Sequence, residues 1–276
     1  MSKQEVEIFV VSHLDSLLDA VPSNEEITKL NLDSLDIPEH YRGNHLAESR
    51  FFFARNALRS TAVVIGFASA RWHERFPSLP KLDQVSALLV GLKPHRYFAP
   101  MTSPVLSSTG LEIWIAMQDL EHPGMGRFLR KTVRDYTATR PLIKSFGYSV
   151  MGGQIFAPKD VFVDLQHFVV SNINTLYEKY GLFPPFKYSC SNCGRVFQDG
   201  VGRWSRVRHL GFLAERLISL YFILNSDLLP TQVIDSKLED IRIKSRQRVE
   251  FPAWVHLTFA RLIRIKNRFL GTCDHS

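Results

Sequence analysis

The chain has 276 residues, 45% hydrophobic and 22% charged, with 15 glycines and 14 prolines. This is ordinary globular composition, and three cysteines are too few for a disulfide framework. The formal net charge of +7 favours an anionic partner. The aromatics do not cluster among the basic residues as RNA-recognition motifs require, so nucleic acid is set aside and a nucleotide-sugar or a membrane surface remains.

No apolar run approaches the ~18 residues that a membrane-spanning helix needs. The N-terminal Met1-Ser2-Lys3-Gln4-Glu5 leads into a strand-like segment without the marks of a cleavable signal peptide, which predicts a cytoplasmic protein. Residues 6–11 (Val-Glu-Ile-Phe-Val-Val) read as a buried first strand, followed by Ser12 and His13 in a polar loop. Residues 44–58 are rich in helix formers with apolar side chains all round, which predicts one mostly buried helix ending near Arg59. Residues 62–67 (Ala-Val-Val-Ile-Gly-Phe) form a continuous run of the kind found in parallel strands. Residues 85–91 and 111–117 are a third and fourth strand candidate, with a helix as the alternative for the second of them.

Residues 125–136 read as a basic helix, and 148–157 as a strand crossing a glycine pair. Residues 158–180 carry Val161, Leu165, Phe168, Val169, Ile173 and Leu176 at helical spacing and end at Gly181, a C-cap residue. A Pro/Gly-rich excursion covers 182–202, and an apolar helix covers 213–224. The alternation of strands and helices predicts an α/β fold with a mainly parallel sheet flanked by helices. The boundaries expected are a main domain over 1–230 and a basic helical C-terminal extension over 231–276 packed on it. That extension holds nine Lys/Arg and four Asp/Glu from 237 to 276, so 9 − 4 = +5. Residues 254–270 have the pattern of a basic amphipathic helix, which can lie on an anionic membrane or pack on the core with its basic face outward.

Several residue sets can carry chemistry. Ser12 and His13 end the first strand, where open α/β sheets bind ligands; a capping serine and a surface histidine is the plainer alternative. Glu48 and Arg50 are two apart on a helix and so point to different faces. Glu215 and Arg216 open the helix that follows the basic approach Arg206, Arg208 and His209. A carboxylate in a first helical turn is favoured by the macrodipole by about 0.3–1 kcal/mol; it is also placed to serve as a general base, to hold an acceptor, or to pair with Arg208. Asp119 and Glu121 could hold a divalent cation through oxygen ligands or form a solvated loop before Pro123-Gly124. Cys190 and Cys193 have the spacing of one zinc knuckle, and Cys273 with His275 would complete four ligands; incidental reduced thiols are the alternative.

Taken in order, four pieces resemble one family. Leu46-Ala47-Glu48-Ser49-Arg50 with Phe51-Phe52-Phe53 and Asn56 is similar to its helix "E-L-x-A-x-Y-W-x-W-K-N". Residues 64–72, Val-Ile-Gly-Phe-Ala-Ser-Ala-Arg-Trp, are similar to its strand end "Y-x-G-L-x-H-Y-R-R". Met151-Gly152-Gly153-Gln154-Ile155-Phe156 stands at its short "N-M-F" strand, and Gly211-Phe212-Leu213-Ala214-Glu215-Arg216-Leu217 resembles its "G-F-L-S-E-R-L". The family is the GT-A-like glycosyltransferases of bacterial capsule and O-antigen clusters, and the resemblance spans residues 6–225. Its His and second Arg after the strand are Ser69 and Trp72 here.

The resemblance implies a GT-A-like, Rossmann-type fold. It also implies transfer of a sugar from a nucleotide-sugar to a polysaccharide or lipid-linked glycan. Ser12, His13, Glu48, Arg71, Gly153, Gln154 and Arg208 would then lie at the donor, and Glu215, Arg216 and His209 at the chemistry. Such enzymes commonly hold Mn or Mg with an Asp-x-Asp motif. Asp119-Leu120-Glu121 is the nearest match here, and Arg71, Arg208 and Arg216 are the cations that could act in its place. The inner face of the plasma membrane would suit a lipid-linked acceptor. Two rival readings are a non-catalytic scaffold of a polysaccharide cluster and another nucleotide-dependent α/β transferase. A methyltransferase is disfavoured because Ser12-His13-Leu14-Asp15 lacks the glycine-rich turn.

Overall fold

The computed structural model describes residues 5–42, 46–77, 79–90, 97–99, 102–104, 108–140, 148–150, 153–182, 184–186, 188–189, 196–197, 209–225 and 231–233. The strands are β1 Val6–Ser12, β2 Ile27–Asn31, β3 Val64–Ser69, β4 Tyr97–Ala99, β5 Thr102–Pro104, β6 Tyr148–Val150, β7 Ile155–Pro158, β8 Tyr188–Ser189, β9 Val196–Phe197 and β10 Thr231–Val233. The helices are α1 Asp15–Asp19, α2 Asn56–Arg59, α3 Trp72–Arg75, α4 Leu82–Val90, α5 Ser108–Glu121, α6 Met125–Thr137, α7 Lys159–Tyr180 and α8 His209–Leu224. No helix among the described residues is long and apolar enough to cross a membrane.

Six strands form the main sheet in the order β10-β4-β7-β3-β1-β2. β1 pairs parallel with β2 and β3, β10 pairs parallel with β4, and β7 runs antiparallel to both its neighbours. The sheet is therefore mainly parallel, as expected, with one reversed strand inside it. β10 carries it three residues past the boundary expected at 230.

The strand period of two sorts the side chains onto two faces. Val6, Ile8, Val10, Val64, Ala68 and Phe156 join a core with Leu18, Trp72, Leu82, Val85 and Leu89, so α1, α3 and α4 cover that face. Phe9, Val11, Ile65, Phe67, Ile155 and Ala157 join a larger core with α5 to α8. Burial on both faces is why β1 and β3 read as continuous apolar runs. Gly66 in β3 is set by its neighbours: a Cβ there would lie 2.6 Å from Phe156 Cδ1 and 3.0 Å from Ile8 Cγ1.

Between β2 and β3 the chain does not form the single α-helix expected over 44–58. Residues Ala47–Phe53 make a 3-10 helix, Ala54 is extended, and α2 follows. In a 3-10 helix side chains three apart eclipse, so the segment has three walls. Glu48 and Phe51 face the sheet, where Phe51 stacks on Phe67 at 5.2 Å and meets Phe9 at 5.0 Å. Phe52 reaches α7, where it stacks on Phe162 at 5.8 Å, and it also meets Phe67 edge-on at 5.2 Å. Arg50 and Phe53 face the preceding segment, and Phe53 packs on Tyr41 at 4.4 Å.

Two strand candidates are helices, the second of them as its stated alternative allowed. Residues 85–90 of the first fall in α4, whose buried Leu82, Val85, Ser86 and Leu89 repeat at helical spacing, and Gly91 lies outside the described residues. Residues 111–117 fall in α5, with Leu111 and Ile115 buried one turn apart. The expected strand over 148–157 is two: β6 pairs with β5 in a separate two-stranded sheet, and β7 enters the main one. α6 and α7 lie where expected, and Gly181 closes α7 at φ 64° with its N–H on the Tyr177 carbonyl. α8 begins at His209, four residues before the expected start.

At the crossing of α6, α7 and α8, the Tyr221 hydroxyl donates to Asp164 and the Tyr136 hydroxyl donates to Asn225. Arg140 lies over the Tyr136 ring at 3.9 Å. Burial pushes both phenols up, and the hydrogen bond to Asp164 adds to the effect on Tyr221. Burial likewise raises Tyr41.

Two outcomes follow from this packing. Gly66→Ala lowers stability by about 1–3 kcal/mol through overpacking, and Phe156→Leu in the same chain restores part of the loss; thermal denaturation of the single and double variants measures both. The raised phenols hold their stabilisation in full below their ordinary value near 10 and lose it as pH rises above that, because the unfolded chain ionises first. Denaturant unfolding from pH 8 upward should therefore show an alkaline loss that Tyr221→Phe makes shallower.

Candidate functional site

Three parallel strands end at one edge. Ser12 pairs with Asn31 and Val11 with Ser69, so β1, β2 and β3 finish together. β7 starts there, since Phe67 pairs with Ile155 and Gln154 lies one step beyond. An open α/β sheet offers this edge to a ligand because loops and side chains, rather than helices, cover it.

One group of side chains gathers around Arg50, whose side chain is 2% exposed. Its Nη1 donates to the Arg42 carbonyl at 2.6 Å and its Nη2 to Asp33 Oδ1 at 3.0 Å. Nη2 also meets Nδ1 of His13. Arginine only donates, so that ring nitrogen accepts, and its 3.5 Å approach to Asp33 is not a second hydrogen bond from the same atom. Asp33 stands outward at 65% exposure. Its slight burial pushes the carboxyl up, but the hydrogen bond and charge of Arg50 outweigh that and hold it below its ordinary value. Ser12 Oγ accepts the Leu14 N–H at 3.0 Å and shapes the turn that presents His13.

A second group runs from the sheet edge to α8. Ser69 donates to Glu48 Oε1 at 2.7 Å, accepts the Arg71 N–H at 3.1 Å, and gives its own N–H to Gln154 Oε1 at 3.3 Å. Gln154 is fully buried, and its Nε2 has no partner among the described residues. Ala47, the one non-glycine residue with positive φ (47°) among the described residues, opens the 3-10 helix that carries Glu48. Gly153 has φ +66° and lies so close to α8 that a Cβ would be 3.5 Å from Glu215 Cγ. Glu215 Oε2 accepts from Arg216 Nη1 at 2.9 Å, and Arg216 also reaches Gln118 Oε1 and Glu121 Oε2, each at 2.9 Å.

The strand-end edge thus brings together Ser12, His13, Glu48, Arg71, Gly153, Gln154, Glu215 and Arg216 of the expected site residues. One reason given for Glu215 is overturned. With α8 starting at His209, Glu215 sits nearly two turns inside the helix, beyond the reach of the N-terminal dipole, which falls off within the first turn. Its surroundings are Arg216 and the close-passing backbone of Gly153. Arg71 is half exposed and pairs with Glu74 at 3.8 Å.

Asp119 and Glu121 serve different partners. Asp119 Oδ1 accepts the N–H groups of Gly124 (3.0 Å) and Gly126 (2.8 Å), capping the start of α6, while Glu121 pairs with Arg216. Among the described residues no three His, Cys, Asp or Glu side chains come together as metal ligands. Cys190, Cys193, Cys273, His275, Arg208, the His209 side chain and residues 254–270 lie outside the described residues, although β8 and β9, which flank Cys190 and Cys193 in sequence, pair antiparallel.

Three partners in the site were not expected: Asn31, Asp33 and Gln118. Asp33 follows β2 in a short 3-10 turn in which Asn31 Oδ1 accepts its N–H at 2.8 Å. The signal was the polar cluster Asn31-Leu32-Asp33-Ser34 after a strand-capable run, a pattern that favours such turns.

No family model matches the chain, and no curated protein matches it. Among solved structures, the apo form of WbbM, a bifunctional glycosyltransferase, overlaps it with a TM-score of 0.46 at 11% identity. The overlap covers 84% of this chain and 45% of that one, so the chain spans less than half the length of that structure. A likeness of this degree carries no inference about chemistry.

Arg50 is the test of the first group. In Arg50→Met the Asp33 carboxyl returns toward its ordinary range in a carbon-detected NMR titration, and the stability that Asp33 contributes above that range, lost in the wild type as pH falls through it, disappears. An unmoved Asp33 would show that the pairing does not form in solution.

Proposed function

We propose that the chain is a glycosyltransferase that moves a sugar from a nucleotide-sugar to a polysaccharide or lipid-linked glycan acceptor. The observation that carries the reading is the convergence at one strand-end edge of a cation-anchored acidic group, Arg50, Asp33 and His13, with a second carboxylate line through Glu48, Ser69, Gln154 and Glu215. Donor and acceptor chemistries need different partners, and the edge supplies both. Asp33 can accept from the hydroxyl and N–H donors of a nucleoside, and the remaining ring nitrogen of His13 can donate to its acceptors, with Arg50 fixing their geometry. Glu215 stands at the other end as general base toward an acceptor hydroxyl, held by Arg216. His209, Arg208 and Arg216 complete the basic approach to it in sequence.

The side chains do not fit a bound divalent ion at Asp119 and Glu121, since one carboxylate caps α6 and the other pairs with Arg216. No step is therefore assigned to a metal there. Arg71 at the end of β3 is the described cation placed to meet a diphosphate leaving group by charge. Structural zinc at Cys190, Cys193, Cys273 and His275, a membrane contact of residues 254–270, and a cytoplasmic setting in capsule or O-antigen synthesis complete the proposal.

The commitment of Glu215 to Arg216 also favours a second reading, a nucleotide-binding scaffold without turnover. One experiment separates them. The full chain is screened against UDP-, GDP- and CMP-sugars with and without manganese, following donor hydrolysis and thermal shift. The transferase reading expects both hydrolysis and stabilisation. It also expects Glu215→Gln to cut transfer to a glycan acceptor by about 10²–10⁴-fold with stability changed by less than about 1–2 kcal/mol. Stabilisation without turnover supports the scaffold, and full activity in Glu215→Gln removes that residue from the chemistry.

A further inference from the structure

A cavity of about 480 Å³ opens between the 3-10 segment and α7. It shares no residue with the strand-end site. Phe53 and the stacked pair of His40 and Tyr177, 4.2 Å apart and 20° from parallel, give it flat apolar surfaces. Arg55, His167 and Glu178 stand exposed at its rim, and none of these three side chains has a hydrogen bond or ion pair to a described residue.

The rim decides what class of ligand fits. Glu178 repels a phosphate or carboxylate, and Arg55 repels an ammonium. A neutral polyhydroxylated ring uses both, donating to Glu178, accepting from Arg55, and doing either with His167. The less polar C–H face of such a ring lies against aromatic surfaces, the usual division of labour in a small-molecule site. Position points the same way. Phe53 is five residues along the 3-10 helix from Glu48, about 10 Å at 2.0 Å per residue, which is the span of a short oligosaccharide.

We infer that this cavity binds neutral sugar units of a glycan at a distance from the reacting end, so that one segment grips the acceptor on its outer wall and reaches the transfer site with Glu48. This rests on the transferase reading for the name acceptor, but the binding stands or falls separately. The full chain is applied to an array of short neutral, sialylated and phosphorylated oligosaccharides, and hits are titrated against Leu58→Trp, which plugs the cavity mouth from an exposed position, and against Glu178→Ala. Neutral glycans should bind, and each variant should weaken them roughly tenfold or more with melting temperature and nucleotide-sugar hydrolysis unchanged. Absence of any neutral hit, preference for the charged glycans, or binding that survives both variants overturns the site. If the chain hydrolyses no nucleotide-sugar yet binds glycans through the cavity, the glycan site stands and the transferase reading falls.

Discussion

Seven residues of 3-10 helix wedged between three walls set the geometry on which the rest of this structure depends. A 3-10 run beyond three or four residues is uncommon because its hydrogen bonds are poor, so Ala47–Phe53 must be held from outside. Its threefold repeat makes that efficient. The three consecutive phenylalanines reach the sheet, α7 and the preceding segment together: Phe51 and Phe52 both meet Phe67 and Phe162, and Phe53 packs on Tyr41. The same repeat delivers one polar group above each of two aromatic anchors: Glu48 above Phe51 at the sheet edge, and Arg50 above Phe53 beside Asp33. Core packing and site geometry are thus one arrangement seen at two levels. Gln166 strengthens it from α7 by donating to the carbonyls of Phe52 (2.7 Å) and Ala54 (2.8 Å), which the end of the 3-10 ladder leaves open.

The sheet explains why the polar groups gather where they do. Both faces of β1, β3 and β7 are covered by apolar side chains, so a charged group beside those strands finds water only at their ends. Arg50 shows the cost of that position. A buried guanidinium without partners would be strongly destabilising, and this one is met by a backbone carbonyl, a carboxylate and an imidazole nitrogen. Because Asp33 reaches outward into solvent, the pair links the interior to the edge, and a ligand there meets an anion whose orientation is fixed from below.

What the sequence made legible follows from how many structures a given pattern permits. β1, β3, α6 and α7 were readable because a continuous β-branched run or a long helical repeat has one natural reading. The runs at 85–91 and 111–117 were not, since a short, mainly apolar run suits a strand or a helix until its neighbours are known. The segment 44–58 was readable as buried but not as 3-10, because hydrogen-bond period leaves no mark when every side is apolar. Of the site, the ends of β1 and β3, Glu48, Gly153, Gln154 and Glu215 were found as separate pieces. Their connection was not legible, since Ser69 joins Glu48 to Gln154 across sequence separations of 21 and 85 residues. Asp33 was missed with β2, an edge strand in which only Ile27 is buried, so it lacks the apolar run that marks a central one.

The cations at the site differ in how freely they can meet a ligand. Arg50 is enclosed with both terminal nitrogens engaged, and Arg216 is divided between Glu215 and Glu121 while it ties α8 to α5 through Gln118. Neither can turn toward a diphosphate without abandoning a carboxylate. Arg71 is held differently: its backbone N–H is fixed by Ser69, but among the described residues its half-exposed side chain has only the 3.8 Å contact with Glu74, and an exposed pair of that kind is worth about 0–1 kcal/mol. A strong ligand charge would therefore draw the Arg71 side chain at small cost while the backbone beneath it stays anchored to Glu48 through Ser69. Under the transferase reading this gives the edge a division of labour: enclosed charges that keep shape, and one tethered charge free to follow the leaving group.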